Sequence, residues 1–275
     1  MDDFNGEYPT AWREHFAAQG ITLHSQATHW QAGTLIAREH LNPGSPGEPL
    51  FLLRITTPTA LTWQVGDIAV VQVPFNRNTQ LRREYSIANS AGHGFLELVV
   101  RQLHKPDGEL GLGSGWLTHT LPIGATLPLA VRTNHAFHPV PVEQAQILIG
   151  SGSGIAGLRG HWQWRTQQAA SSTWLLFGER CCRKDNFLNQ LLTTAPGHHI
   201  SRAFSRCEAQ PAWVQERLKQ ESERVLAWLE KGAAVYVCGS QEGMGEGVHQ
   251  TLIDIAGTDT VNALIADGRY RRDLY

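Results

Sequence analysis

The 275-residue sequence has little charge: 17% of its residues are Asp, Glu, Lys or Arg, against roughly 25% in an average globular chain. It has no excess of either sign, with 23 basic and 25 acidic residues and a formal net charge of -2. No global basic field therefore draws it to nucleic acid or anionic lipid. Long apolar runs are lacking too. The longest candidates, around Ile68 to Val73 and Ala145 to Leu158, are broken by Gln, Ser and Gly, which excludes a membrane-spanning helix. The start, Met1-Asp2-Asp3-Phe4-Asn5-Gly6, lacks the positive and apolar regions of a secretion signal, and the chain is expected to be cytoplasmic. Cysteine is scarce: Cys181, Cys182, Cys207 and Cys238, two of them adjacent, do not suggest a disulfide framework, and reduced thiols are expected. The 13 histidines are scattered without zinc-ligand spacing, so no metal site is expected.

What is present is a globular composition, 41% hydrophobic, long enough for two domains. From about Trp30 to Leu129 the apolar pattern is short and alternating, as in Leu50 to Ile55, Ile68 to Val73 and Phe95 to Val100. That pattern predicts an antiparallel barrel or sandwich. Pro139-Val140-Pro141 makes a joint, dividing the chain into residues 1–140 and 141–275. Beyond it strands and helices alternate, which implies a parallel sheet. Strands are expected at Ala145 to Ile149, Thr173 to Phe177, His199 to Phe204 and Ala233 to Cys238. Helical faces are expected at Val214, Leu218, Val225 and Leu229 and at Met244, Val248, Leu252 and Ile255. A weak helical stretch at Thr10 to Ala17 belongs to neither half.

Ile147-Leu148-Ile149-Gly150-Ser151-Gly152-Ser153-Gly154-Ile155-Ala156-Gly157 runs from a strand through a glycine turn into a helix. Glycines there let the backbone approach a pyrophosphate, and the helix start offers unpaired N–H groups to it. The acid expected about 20 residues on for an NAD ribose is not well placed, since Glu179 comes late. Two further segments carry chemistry: Arg83-Glu84-Tyr85-Ser86 at the head of an apolar stretch, and Gly111-Leu112-Gly113-Ser114-Gly115-Trp116-Leu117, a turn opening a helix.

Arg-x-Tyr-Ser in an antiparallel domain, followed by a glycine turn and a nucleotide domain, resembles the ferredoxin-NADP reductase superfamily. The second half is most similar to the NADPH-haemoprotein reductases and the sulfite reductase flavoprotein subunit. Phe177-Gly178-Glu179-Arg180, Ala203-Phe204-Ser205-Arg206, Trp213-Val214-Gln215, Val235-Tyr236-Val237-Cys238-Gly239 and Met244 follow in the expected order. The resemblance implies an α+β and α/β two-domain chain: an N-terminal antiparallel β-barrel that binds FAD, then a Rossmann-like parallel-sheet domain that binds NADPH. Arg83 would hold the FAD pyrophosphate, Tyr85 would pack on the isoalloxazine and Ser86 would hydrogen-bond near N5. Gly111, Gly113 and Ser114 would offer backbone N–H groups to the pyrophosphate, and Leu98 would approach the adenine through its backbone.

By the same resemblance Gly152, Ser153 and Gly154 would cradle the second dinucleotide. Ser205 and Arg206 would meet its 2'-phosphate, with Trp213, Gln215 and Met244 beside it. The family's usual Lys is replaced here by Pro211 and its usual Tyr by Trp213, which weakens the preference for NADPH over NADH. Tyr275 would cover the flavin and move aside for nicotinamide, while Cys238 and Asp273 would position the reacting ring. Hydride from NADPH would pass to FAD, and electrons then to an external acceptor such as a flavodoxin, a haem protein or an iron centre. The chain shows no FMN domain, iron–sulfur domain or long insert between Val73 and Arg83. The alternatives are a reductase of a small diffusible acceptor, such as a ferric chelate or free flavin, and a nucleotide-binding redox module or sensor without turnover.

Overall fold

The computed structural model describes residues 29–58, 61–76, 79–170 and 172–275. The helical stretch expected at Thr10 to Ala17 lies outside the described residues. The first unit is a six-stranded antiparallel sheet in the order β4-β3-β6-β1-β2-β5. Its strands are β1 (Gln31–His40), β2 (Leu50–Thr56), β3 (Ile68–Asn76), β4 (Thr79–Ser86), β5 (Phe95–Arg101) and β6 (Thr126–Arg132). An isolated bridge between Ile87 and Leu98 brings its two edges together and closes the barrel. The second unit is a five-stranded parallel sheet, β11-β10-β7-β8-β9. Those strands are β7 (Gln146–Ser151), β8 (Thr173–Glu179), β9 (His198–Phe204), β10 (Ala234–Gly239) and β11 (Tyr270–Leu274). An antiparallel barrel followed by a parallel sheet with helices is the expected two-domain fold. The last strand was not expected: the chain's end joins the sheet beside β10, with Cys238 opposite Asp273.

Among the described residues, five helices of seven or more residues flank the second sheet, α1 (Ile155–Gln167), α2 (Val214–Gln220), α3 (Ser222–Glu230), α4 (Glu246–Ala256) and α5 (Thr258–Ala266), with one shorter helical turn at Leu188–Leu191. The stripe of Val214, Leu218, Val225 and Leu229 is buried as expected, but the backbone breaks at Glu221 and splits it between α2 and α3. Met244 is buried in a kinked turn before α4 rather than on that helix. Helix α1 is wedged between barrel and sheet, so even Arg159, His161 and Arg165 on it are buried. A helix covered on both sides shows no one-sided apolar pattern.

Strand β5 shows how the barrel meets the sheet unit. Successive side chains on a strand point to opposite faces. Leu96, Leu98 and Val100 therefore fill the barrel with Leu35, Leu53 and Val71, whereas Glu97, Val99 and Arg101 face the other unit. Val99 packs in a shared core with Ile155, Leu158 and Trp162 of α1. Glu97 pairs with Arg159 of α1 at 2.5 Å, and Arg101 with Glu179 at the end of β8 at 2.6 Å. The outer face of one strand supplies much of the seam.

Behind that seam His161 is wholly buried. Its Nε2 donates to the Phe137 carbonyl at 2.9 Å and its Nδ1 accepts from the Gln146 amide at 3.2 Å. Both nitrogens are satisfied by a neutral ring, and burial lowers its pKa from 6.5 to about 3. As pH falls below 6.5 the unfolded chain takes up a proton that the folded chain refuses. Stability is therefore complete above that value and declines towards about pH 3. Urea unfolding at pH 5 is expected to give roughly 2 kcal/mol less stability than at pH 7.5 from this residue alone. His161→Phe should flatten that part of the profile, and an unchanged slope in the variant would remove His161 from the effect.

Candidate functional site

A cleft of about 1140 Å³ runs along the seam, lined from the barrel by Arg83, Tyr85, Ser86 and the turn Gly111–Ser114, and from the sheet by Ser151, Gly152, Ser153 and Met244. Single-ligand sites span roughly 300–1,000 Å³, so this volume leaves room for two converging groups. It opens at the C-terminal ends of β7, β8 and β10, the edge at which parallel sheets bind ligands.

The barrel wall is built by β4 and the turn at Leu112–Gly115. Ser86 ends β4 with its side chain turned inward and buried, while Arg83 and Tyr85 lie three and one residues before it, half-buried. Burial pushes the Tyr85 phenol up to about 12, against the opposing pull of Arg83. Gly113 is required there by close approach: a Cβ on it would lie 2.7 Å from Arg83 Cγ and 2.9 Å from the Tyr85 hydroxyl. The Ser114 hydroxyl accepts the Leu103 N–H at 3.0 Å, and the Gly111 N–H donates to the Leu103 carbonyl at 2.7 Å. These bonds hold the turn against the end of β5.

The opposite wall begins with the glycine turn after β7. Gly152 sits at φ +59°, a left-handed conformation that suits glycine. Gly154 packs on β10 rather than lining the cleft: a Cβ there would stand 2.0 Å from the Cys238 carbonyl oxygen. Further along, Ser205, Trp213 and Gln215 line the cleft, with Trp213 60% exposed. Arg206 is exposed and stands just outside the lining, where Arg180 takes the inner position.

Residues from four separate elements meet at the junction of the two walls. The Ser86 hydroxyl donates to Asp273 Oδ2 at 2.6 Å, and the Cys238 thiol approaches the same oxygen at 3.8 Å. Burial, then the Asp273 charge, pushes the Cys238 thiol well up, so it is held as a thiol. Tyr275 stands over this group 60% exposed, its hydroxyl hydrogen-bonded to the Ser153 hydroxyl at 2.9 Å. Its backbone is tied on both sides, by its N–H to the Gly239 carbonyl and by its carbonyl to the Gln241 N–H, each at 3.1 Å.

The Leu98 side chain lies in the barrel core with no exposure, while its neighbours Val99, Val100 and Arg101 line the cleft. The structure corrects one expectation. Cys182 and Cys207 are joined in a disulfide, with their Cα atoms 5.7 Å apart, leaving Cys181 and Cys238 free. Close parallel strands β8 and β9 bring these distant positions together.

Arg101, Glu179 and Arg180 are cleft residues that sequence reasoning did not assign. Arg101 donates to the Glu48 carbonyl at 3.0 Å and to Glu179 Oε1 at 2.6 Å. Its guanidinium also lies 2.8 Å from where a Gly152 Cβ would stand. Burial raises the Glu179 pKa, with Arg101 holding it back. The one local signal was an arginine closing the apolar run Val99-Val100. Among the described residues, no group of three or more His, Cys, Asp or Glu is arranged to hold a metal ion, and no helix is long and apolar enough to cross a membrane.

An antiparallel barrel that faces the C-terminal edge of a parallel sheet across a glycine-walled cleft defines a two-domain dinucleotide-binding architecture. The family described as oxidoreductase NAD-binding domain matches residues 148–250. The chain is 35% identical over 215 residues to the sulfite reductase [NADPH] flavoprotein alpha-component of Vibrio cholerae, covering 70% of this chain and 35% of that protein. The protein of the same name from Photobacterium profundum is 30% identical over 245 residues, 76% of this chain and 40% of its own. That from Aliivibrio fischeri is 34% identical over 215 residues, 70% of this chain and 35% of its own. The chain spans little more than a third of the length of the curated relatives it matches. It belongs to the ferredoxin-NADP reductase superfamily.

Proposed function

We propose that the chain is an FAD-dependent NADPH oxidoreductase that takes hydride from NADPH and delivers electrons to an external protein acceptor, for which a haem protein is the favoured class. The observation that carries this reading is the convergence of Ser86, Cys238 and Asp273 beneath Tyr275, where barrel and sheet meet. The cleft fits two dinucleotides by the chemistry of its walls. The barrel side offers a fixed cation at Arg83, an aromatic face at Tyr85, a hydroxyl at Ser86 and the close-packed glycine turn of Gly111, Gly113 and Ser114, a set suited to FAD. The sheet side offers the turn of Gly152 and Ser153, backed by Gly154 against β10, then Ser205, Trp213, Gln215 and Met244, with Arg206 at its rim, a set suited to NADPH. The relatives' shared name, an [NADPH] flavoprotein alpha-component, supports both cofactors and a separate acceptor.

Bound FAD would supply the redox chemistry, accepting two electrons as hydride and returning them singly. The residues supply position. The Ser86 hydroxyl is held by Asp273 at one end of its rotation, leaving its oxygen lone pairs directed by a fixed hydrogen bond. Cys238 adds a neutral, polarisable surface beneath the junction, because burial keeps its proton on sulfur. Tyr275 covers the same place, and its ring is released by breaking one hydroxyl contact to Ser153 while its backbone stays tied. Such a bond is worth about 1 kcal/mol net, so an incoming nicotinamide ring can displace it. The walls of the cleft then bring the reacting carbon and its acceptor together and exclude water.

The test is stopped-flow mixing of the FAD-reconstituted protein, under anaerobic conditions, with NADPH and separately with NADH. Rapid bleaching of the flavin band, faster with NADPH, is the expected result; bound flavin that neither nucleotide reduces would overturn the reading. Ser86→Ala is expected to slow that bleaching roughly tenfold to a hundredfold while FAD content stays at the wild-type level. Reduction at an unchanged rate would take Ser86 out of the mechanism.

A further inference from the structure

The disulfide is the feature that the proposed reaction does not use. Cys182 lies in the turn after β8 and Cys207 in the turn after β9, twenty-five positions apart in sequence. Past the ends of these strands the Ser205 N–H donates to the Glu179 carbonyl at 2.9 Å and the Arg206 N–H to the Arg180 carbonyl at 2.7 Å. The bridge closes the same ladder one step further on, directly after Ser205 and Arg206.

The two turns it joins are held unequally. On the Cys182 side, Asp185 is buried; its Oδ1 accepts the Asn42 amide at 3.1 Å and its Oδ2 accepts the Cys181 N–H at 2.8 Å. The Arg180 side chain lies against Gly47, where a Cβ would come 2.3 Å from its Nη1. This turn is therefore anchored to the barrel hairpin. On the Cys207 side, residues 208–211 are exposed, and the next backbone hydrogen bond is that of the Ala212 N–H to the Phe204 carbonyl at 3.0 Å. The covalent link passes the rigidity of the first turn to the segment that carries Ser205 and Arg206.

We propose that Cys182 and Cys207 form a two-electron thiol–disulfide switch on recognition of the 2'-phosphate of the dinucleotide. The proposal rests on the NADPH reading of the cleft. Both cysteines are half-buried and so within reach of an attacking thiolate, and Arg183, Lys184 and Arg206 place positive charge around them. The reductant is a dithiol. Its thiolate attacks one sulfur, the Cys182–Cys207 bond breaks, a mixed disulfide forms and the released cysteine takes a proton. The second thiol of the reductant then attacks the mixed disulfide, freeing the other cysteine as a thiol and leaving the reductant as a disulfide. Two electrons and two protons enter the protein, and an oxidised dithiol reverses the exchange. In the reduced form the ordering of residues 205–211 is charged against phosphate binding, which weakens it.

The experiment uses the full chain loaded with FAD and titrates it by calorimetry with adenosine 2',5'-bisphosphate and with AMP. Thiol titration in denaturant should count two free cysteines in the oxidised protein and four after reduction. Reduction is expected to weaken the bisphosphate about 5-fold to 20-fold, within the usual range of coupling between sites, and to leave AMP unchanged. Cys207→Ser should match reduced wild type and ignore the reductant, while Cys181→Ser should respond as wild type does. Equal bisphosphate affinity in both redox states, or four free thiols after oxidation, overturns the switch alone. No bisphosphate binding in either state overturns the NADPH reading and the switch with it.

Discussion

Asp273→Ala is expected to slow the reduction of bound FAD by NADPH about 10²–10³-fold, the loss seen when one preorganised polar group is removed from a reacting site. The residue reaches the junction only because the chain's end pairs as a strand, in register with Cys238. Its single Oδ2 atom holds the Ser86 hydroxyl at 2.6 Å and faces the Cys238 thiol at 3.8 Å. Alanine frees both partners at once: the hydroxyl loses its acceptor and rotates, and the thiol loses the negative neighbour that helps keep its proton in place. FAD should bind as before, because its expected contacts lie on the barrel wall. Asp273→Asn separates the two roles, since it keeps an acceptor oxygen but no charge. A loss of only about tenfold in that variant would assign most of the effect to the hydrogen bond. Wild-type rates in the alanine variant would remove the whole Ser86–Asp273–Cys238 group from the mechanism.

The parts of this site legible in the sequence are those written in local patterns. The glycine turn between β7 and α1 needs a left-handed residue at Gly152 and no side chain at Gly154, so its requirement is printed in consecutive residues. Alternation along the barrel strands and apolar stripes on α2, α3 and α4 likewise repeat within a few positions. Other features depend on approach between distant segments. Arg101 and Glu179 lie 78 residues apart, and nothing near either one announces the other. The Cys182–Cys207 bridge follows from the pairing of β8 with β9, not from cysteine spacing. Along β5 a single step turns a side chain from the barrel core at Leu98 to the seam at Val99, which only the closed barrel makes visible. The break at Glu221 was hidden because α2 and α3 keep burying the same stripe across it.

Glu97→Ala is expected to cost about 3–5 kcal/mol, because it leaves a buried cation without its partner. Glu97 is 3% exposed at its side chain and Arg159 8%, and their 2.5 Å contact crosses from the barrel to α1. Arg159 is further held by the Ala88 carbonyl at 2.9 Å and the Leu191 carbonyl at 3.0 Å, so it cannot swing out to water when its carboxylate is removed. The second partner of Glu97, Arg54, is 40% exposed at its side chain and simply returns to solvent. The cost therefore falls on the seam rather than on the barrel. Urea unfolding followed by both circular dichroism and tryptophan fluorescence should show it, since Trp162 is buried in the same seam. Where wild type unfolds in one transition, the variant is expected to lose the seam first and separate into two. Pairing Glu97→Leu with Arg159→Met should recover most of the loss, because an apolar pair removes the desolvation cost together with the attraction. A single variant that costs less than about 1 kcal/mol would mean that the apolar contacts of Val99, Ile155 and Trp162 hold the two units together without it.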